Sequence, residues 1–128
     1  MHRITITIDG PASAGKGTVA RMVAKSLDYD YIDTGAMYRA VTAVAIQKGV
    51  SLSDGDALGA LASGLILSFR FRGEENILLC NDEDLSQAIR ADEVSVGSSV
   101  VAAHPQVRRA LLEKQRALGV TGGVVFDG

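Results

Sequence analysis

The chain has 128 residues, a formal net charge of −2 and 47% hydrophobic residues. That is enough for one core and no second independent domain, and the charge gives no basis for a general nucleic-acid or membrane surface. One cysteine, Cys80, excludes an internal disulfide and fits a reducing compartment, and no run approaches the roughly 20 apolar residues of a membrane span.

Residues 3–8 alternate isoleucine with polar β-branched positions and read as a strand. The N-terminus enters that strand at once, which leaves no room for a signal peptide; a cytoplasmic protein is expected. From Thr18 to Leu27 the stripe Val19, Ala20, Val23, Ala24, Leu27 has helical spacing. Between strand and helix lie Gly10, Pro11, Ala12, Ser13, Ala14, Gly15, Lys16, Gly17 and Thr18. Strand, glycine-bounded loop, lysine and helix together make a P-loop. Gly10 and Gly15 permit backbone angles and close approaches that a Cβ hinders. Successive main-chain amides and the helix N-terminus then face an anion, and Lys16 adds a full charge. The general pattern places Ser or Thr directly after the lysine; here Gly17 stands there and the hydroxyl follows at Thr18.

Residues 28–33 form a second strand candidate. Thr34 is the expected N-cap of a helix over residues 36–48, with Met37, Ala40, Val41, Val44 and Ala45 inward and Gly49 as its stop. Ser53 is the expected cap of a short helix with Leu58, Leu61 and Ala62 buried. Leu65, Leu67, Phe69 and Phe71 then alternate as a strand; residues 72–76 read as a turn, 77–80 as the return strand and 83–86 as a short third strand. This antiparallel patch interrupts a βα alternation and reads as an insert. Cys80 ends an apolar run and reads as a small buried hydrophobe. Helical spacing returns over 92–103 through Val94, Gly97 and Val101. Pro105 opens a last helix to about residue 118, with Val107, Ala110, Leu111 and Leu118 inward. Residues 124–126 are a continuous apolar run, the pattern of a buried parallel strand, ending in Asp127. Such a strand normally feeds another helix, so the chain reads as the N-terminal part of a larger α/β fold.

The chemistry gathers at three places. Lys16 faces the donor phosphates. Asp127, at a strand end, stands where P-loop proteins place the acid that holds Mg²⁺, with Thr18 the loop hydroxyl for the same ion. Thr34 and the free amides of its helix can receive a phosphate, and Arg39 can grip one bidentately. His2 and His104 have no partners at ligand spacing and read as structural; Tyr38 reads as helix packing.

The GxxxxGKGT loop is typical of nucleoside monophosphate kinases. Paired with Ile32-Asp33-Thr34-Gly35-Ala36-Met37-Tyr38-Arg39, it resembles the bacterial cytidylate kinases. So do the run from Asp84 through Arg90, Val94-Ser95, and the run from His104 to Arg116. The resemblance covers the whole chain, and an enlarged monophosphate-binding region is a family trait that fits the hairpin. It implies an α/β P-loop NTPase-type parallel sheet flanked by helices, with a small antiparallel insert. The core would be 1–36 and 88–128 and the monophosphate-binding insert about 37–87; the arginine-rich lid and the C-terminal part are missing. By the same resemblance Gly10 to Thr18 hold ATP, Thr34 and Arg39 bind the acceptor phosphate, and Ser99 with Arg108 reads the cytosine ring. Asp127-Gly128 matches the start of an Asp-Gly-Arg-Asp stretch whose last two residues are absent here.

The implied reaction is phosphoryl transfer from ATP–Mg²⁺ to CMP or dCMP, with Lys16, Arg39 and Arg108 as its cationic groups. The insert closes over the acceptor, and the protein acts as a cytoplasmic monomer without nucleic acid or membrane. Because the lid and the Arg-Asp pair are missing, the 1–128 chain is expected to bind nucleotide weakly and turn over poorly. Two alternatives stay open: another small P-loop kinase, for AMP, GMP or shikimate, and a nucleotide-binding fragment without turnover.

Overall fold

A computed structural model describes residues 4–8, 15–72, 75–120 and 122–128. The loop positions Gly10, Pro11, Ala12, Ser13 and Ala14, and also His2, lie outside the described residues. The expected strands and helices over the described residues are present, and differences lie at their ends.

Three strands form a parallel sheet: β1 (Thr5–Ile8), β2 (Asp30–Asp33) and, from the far end of the chain, β6 (Val124–Asp127). Their order is β1-β6-β2, so β6 inserts between two strands that are neighbours in sequence. The register brings the strand ends level: Ile8 and Asp33 each pair with Asp127. All four residues of β6 are buried, as a central parallel strand requires.

The two sheet faces are covered differently. Helix α1 (Lys16–Leu27) lies on one, where Ala20, Ala24, Tyr31 and Val125 form a small apolar cluster. Its sequence stripe is only partly inward: Val19 is 52% and Leu27 45% exposed. Two buried alanines let the helix sit close to the sheet, and the larger residues at the stripe's margin then face outward. The helix begins at Lys16, earlier than the expected Thr18, with Gly15 before it at φ +76°. That left-handed angle is the freedom the sequence assigned to Gly15.

The larger core lies on the opposite face, where Ile32, Val124 and Phe126 meet α2 (Thr34–Lys48). Eight residues of α2 are buried, including the whole expected set, so this helix is enclosed rather than laid on a surface. Its N-cap is not Thr34 but Asp33, whose Oδ1 accepts from the Ala36 N–H at 3.4 Å. Asp33 is the last extended residue, three before that amide, while Thr34 is already helical. Gly49 ends the helix at φ +70°.

Helix α3 (Gly55–Gly64) is capped by Asp54, not Ser53. The Ser53 hydroxyl is paired with Ser51 in the preceding turn, whereas Asp54 Oδ1 accepts from Ala57 N–H at 3.1 Å. A separate antiparallel sheet follows, β3 (Leu67–Arg72), β4 (Glu75–Cys80) and β5 (Glu83–Asp84), in that order. Pairing continues to Arg72 opposite Glu75, so the connection is shorter than the five residues expected of the turn. A 3-10 turn at Ala88–Arg90, which no periodicity announced, leads into α4 (Asp92–Ala102). Its buried residues are Val94, Gly97 and Val101, as their spacing requires. Helix α5 (Pro105–Gly119) buries Val107, Ala110 and Leu111, and Leu118 packs half-buried against the same core. Cys80 is buried; burial first, then the charge of Glu83, pushes its thiol above the ordinary range.

Candidate functional site

The carboxyl ends of the parallel strands converge on one spot, the place where α/β sheets of this order receive ligands. Lys16, first residue of α1, makes an ion pair with Asp127 Oδ1, and both side chains are largely buried, at 14% and 7% exposure. Tyr31 of β2 donates its hydroxyl to the other oxygen, Asp127 Oδ2. Burial, and secondarily Asp33, raises the Tyr31 phenol above its ordinary range against an opposing effect of Arg21, so the hydroxyl remains a donor at neutral pH. Gly17 faces the same carboxylate: a Cβ there would sit 3.6 Å from Asp127 Oδ2. One residue on, an α-helix has turned by about 100°, and Thr18 is exposed.

The start of α2 makes the second half of the site. Asp33 Oδ2 accepts from the Arg39 guanidinium at 3.2 Å. Gly35 leaves room for that pair, because a Cβ would stand 3.1 Å from Asp33 Oδ1 and 3.2 Å from Arg39 Nη1. The Thr34 hydroxyl donates to the Asp127 carbonyl at 3.1 Å, tying the two halves together. Beside them opens a cleft of about 190 Å³ between α2, the antiparallel sheet and the 3-10 turn. Three guanidinium groups line it, Arg21, Arg39 and Arg90, against one carboxylate, Asp33. Such a lining selects for an anion, and planar guanidinium groups suit phosphate oxygens.

The structure therefore brings together Lys16, Gly17, Asp127, Thr34 and Arg39. Ser99 on α4 and Arg108 on α5 are exposed and do not line this cleft. Arg108 donates to the carbonyls of Ala102 and Ala103 at 3.2 and 3.1 Å, closing the C-terminal end of α4. Its charge also reaches Tyr38, whose phenol burial raises and Arg108 lowers. His104 is structural, with Nε2 2.9 Å from the Leu52 carbonyl. Sequence reasoning missed Tyr31, Arg21 and Arg90. Arg90 closes the Asp84-to-Arg90 run that carried the resemblance, which could have marked it. Arg21 is one cation on an amphipathic helix, and only the fold shows that it faces the cleft.

Comparison with known proteins matches residues 6–128 to the cytidylate kinase family. The chain belongs to the cytidylate kinase family. The cytidylate kinase of Geobacillus sp. (strain WCH70) is 48% identical over 127 residues, which is 99% of this chain and 57% of that protein. Those of Listeria innocua and Bacillus pumilus are each 48% identical over 126 residues, 98% of this chain and 56% of the relative. The chain thus spans just over half the length of the curated cytidylate kinases it matches. Among the described residues no helix is long and apolar enough to cross a membrane.

Proposed function

We propose that the protein transfers the γ-phosphoryl group of ATP to CMP and dCMP. The observation that carries this reading is the juxtaposition of Lys16 and Asp127 at the strand ends with the Arg39–Asp33 pair and its arginine-lined cleft, in a chain of the cytidylate kinase family. Lys16 exchanges its ion pair with Asp127 for the donor phosphates, beside the loop from Gly10 to Thr18. Arg39 and Thr34 hold the acceptor phosphate, joined by Arg21 and Arg90 across the cleft. Ser99 and Arg108 read the cytosine. They can do so only if residues of α4 and α5 approach the cleft, so the segment 37–87 closes on the acceptor against the core of 1–36 and 88–128. Closure excludes the water that would otherwise hydrolyse ATP.

Mg²⁺ fits Asp127 itself, a buried hard carboxylate at a strand end whose Oδ1 is freed when Lys16 moves to the phosphates. Thr18, the loop hydroxyl expected for the same ion, is exposed and turned away from that carboxylate. An ion held at Asp127 would supply positive charge to offset what the phosphate groups carry during transfer. No covalent enzyme intermediate is needed, because this chemistry is mostly positioning and charge neutralisation. The protein works as a cytoplasmic monomer on free nucleotides.

The test is a coupled ADP-release assay with competing acceptors. CMP and dCMP should support faster release than UMP, AMP or GMP. Equal rates with AMP or GMP would point to a different monophosphate kinase. Arg39→Ala should raise the KM for CMP by about tenfold or more, the worth of one charge-assisted contact, with the KM for ATP unchanged.

A further inference from the structure

Tyr31 is a buried polar residue that the reaction as described leaves unused. It is 3% exposed and pairs in register with Val125, two positions before Asp127. Its ring is fixed by Ala20, Ala24 and Val125, with the Arg21 guanidinium 5.9 Å from the ring centroid. Its hydroxyl reaches along the strands to Asp127 Oδ2, while Lys16 engages Oδ1. Among the described residues each carboxylate oxygen thus has one partner, and the two partners come from different elements.

From this division we infer that Tyr31 is a positioning residue that holds Oδ2 so that Oδ1 stays presented to a divalent cation once Lys16 has moved to the phosphates. The inference rests on the proposed role of Asp127 at Mg²⁺. A carboxylate with a lysine as its only partner follows the ammonium, or swings to offer it both oxygens. A directional donor on a packed ring prevents this. Tyr31 sits on β2 and does not travel with α1, so its hydrogen bond survives the departure of Lys16. Hydrogen-bond partners of metal-binding carboxylates commonly set metal affinity by about tenfold or more. A tyrosine that merely filled the space beneath α1 would serve equally well as phenylalanine.

The experiment is calorimetric titration of ATP into wild type and Tyr31→Phe, once in EDTA and once in excess Mg²⁺. Tyr31→Phe should keep its affinity in EDTA within about twofold and lose about tenfold of the Mg²⁺-dependent gain. An undiminished Mg²⁺ gain in Tyr31→Phe overturns the inference and leaves the kinase reading intact. Absence of a Mg²⁺ gain in wild type overturns the metal role of Asp127 and this inference with it. Should Tyr31→Phe fail to fold, wild type labelled with ¹³Cζ-tyrosine carries the test. The chain has three tyrosines, so Tyr29→Phe and Tyr38→Phe assign the remaining signal. Addition of Mg²⁺ to the ATP-bound protein should shift the Tyr31 resonance, and an unmoved resonance refutes the role.

Discussion

Lys16 and Asp127 carry both stability and chemistry, and the two can be separated. Removing one partner of a buried ion pair leaves an uncompensated charge, at a cost of roughly 3–5 kcal/mol. Lys16→Met should therefore destabilise by about that much in urea unfolding, and Asp127→Asn in addition should restore most of the loss. Neither variant should regain ATP binding. Recovered nucleotide affinity in the double variant would show that Lys16 serves the fold alone. The pairing was foreshadowed by residue type and strand context, because a lysine after a glycine-bounded loop and an aspartate at a strand end belong to one pattern. The donor from Tyr31 was not, since a tyrosine in a short strand reads as packing until its hydroxyl is seen to reach a carboxylate. The exchange of Thr34 for Asp33 as N-cap is of the same kind. Both residue types cap helices, and which one does depends on where the strand releases the chain.

At the level of elements, helix crossings are set by glycines. Gly59 of α3 lies against α5, where a Cβ would stand 2.6 Å from Gln106 Cβ. That atom belongs to the stiff base of a side chain, so the helices must part. Gly59→Ala should cost about 1–2 kcal/mol in thermal or urea unfolding, even after the gain in helix propensity. Gly64, at the end of the same helix, has nothing within 4 Å of its Cβ position, and Gly64→Ala should be neutral or slightly stabilising. Equal losses at the two sites would contradict the packing account. Periodicity revealed α4 and α5 with their buried faces, because Val94, Gly97, Val101 and Val107, Ala110, Leu111 keep one-turn spacing. It misjudged the outer margin of α1, where Val19 and Leu27 keep the spacing yet face outward. The 3-10 turn is too short to show any period.

Over the whole molecule, the parallel order β1-β6-β2 depends on pairing between residues more than 90 positions apart, which no local pattern contains. The sequence showed that a buried strand preceded Asp127, not that it lay between the other two. The fold also has a global pH signature. Cys80 and Tyr38 are both raised by burial above their ordinary values, so folding favours their neutral forms. The unfolded chain gives up these protons first, near pH 8.5 for the thiol and pH 10 for the phenol. Stability is therefore fully present below about pH 8.5 and declines as pH rises beyond it. Urea unfolding at pH 7.5 and 9.5 should reveal the decline, and Cys80→Ala should reduce it; the same decline in that variant would locate the effect elsewhere. The central claim is that the head of α1 and the end of β6 form a triphosphate site. Calorimetric titration of ATP–Mg²⁺ into wild type and Lys16→Ala tests it most directly. The account predicts saturable one-to-one binding by wild type and a loss of at least about tenfold in the variant; indistinguishable isotherms would contradict it.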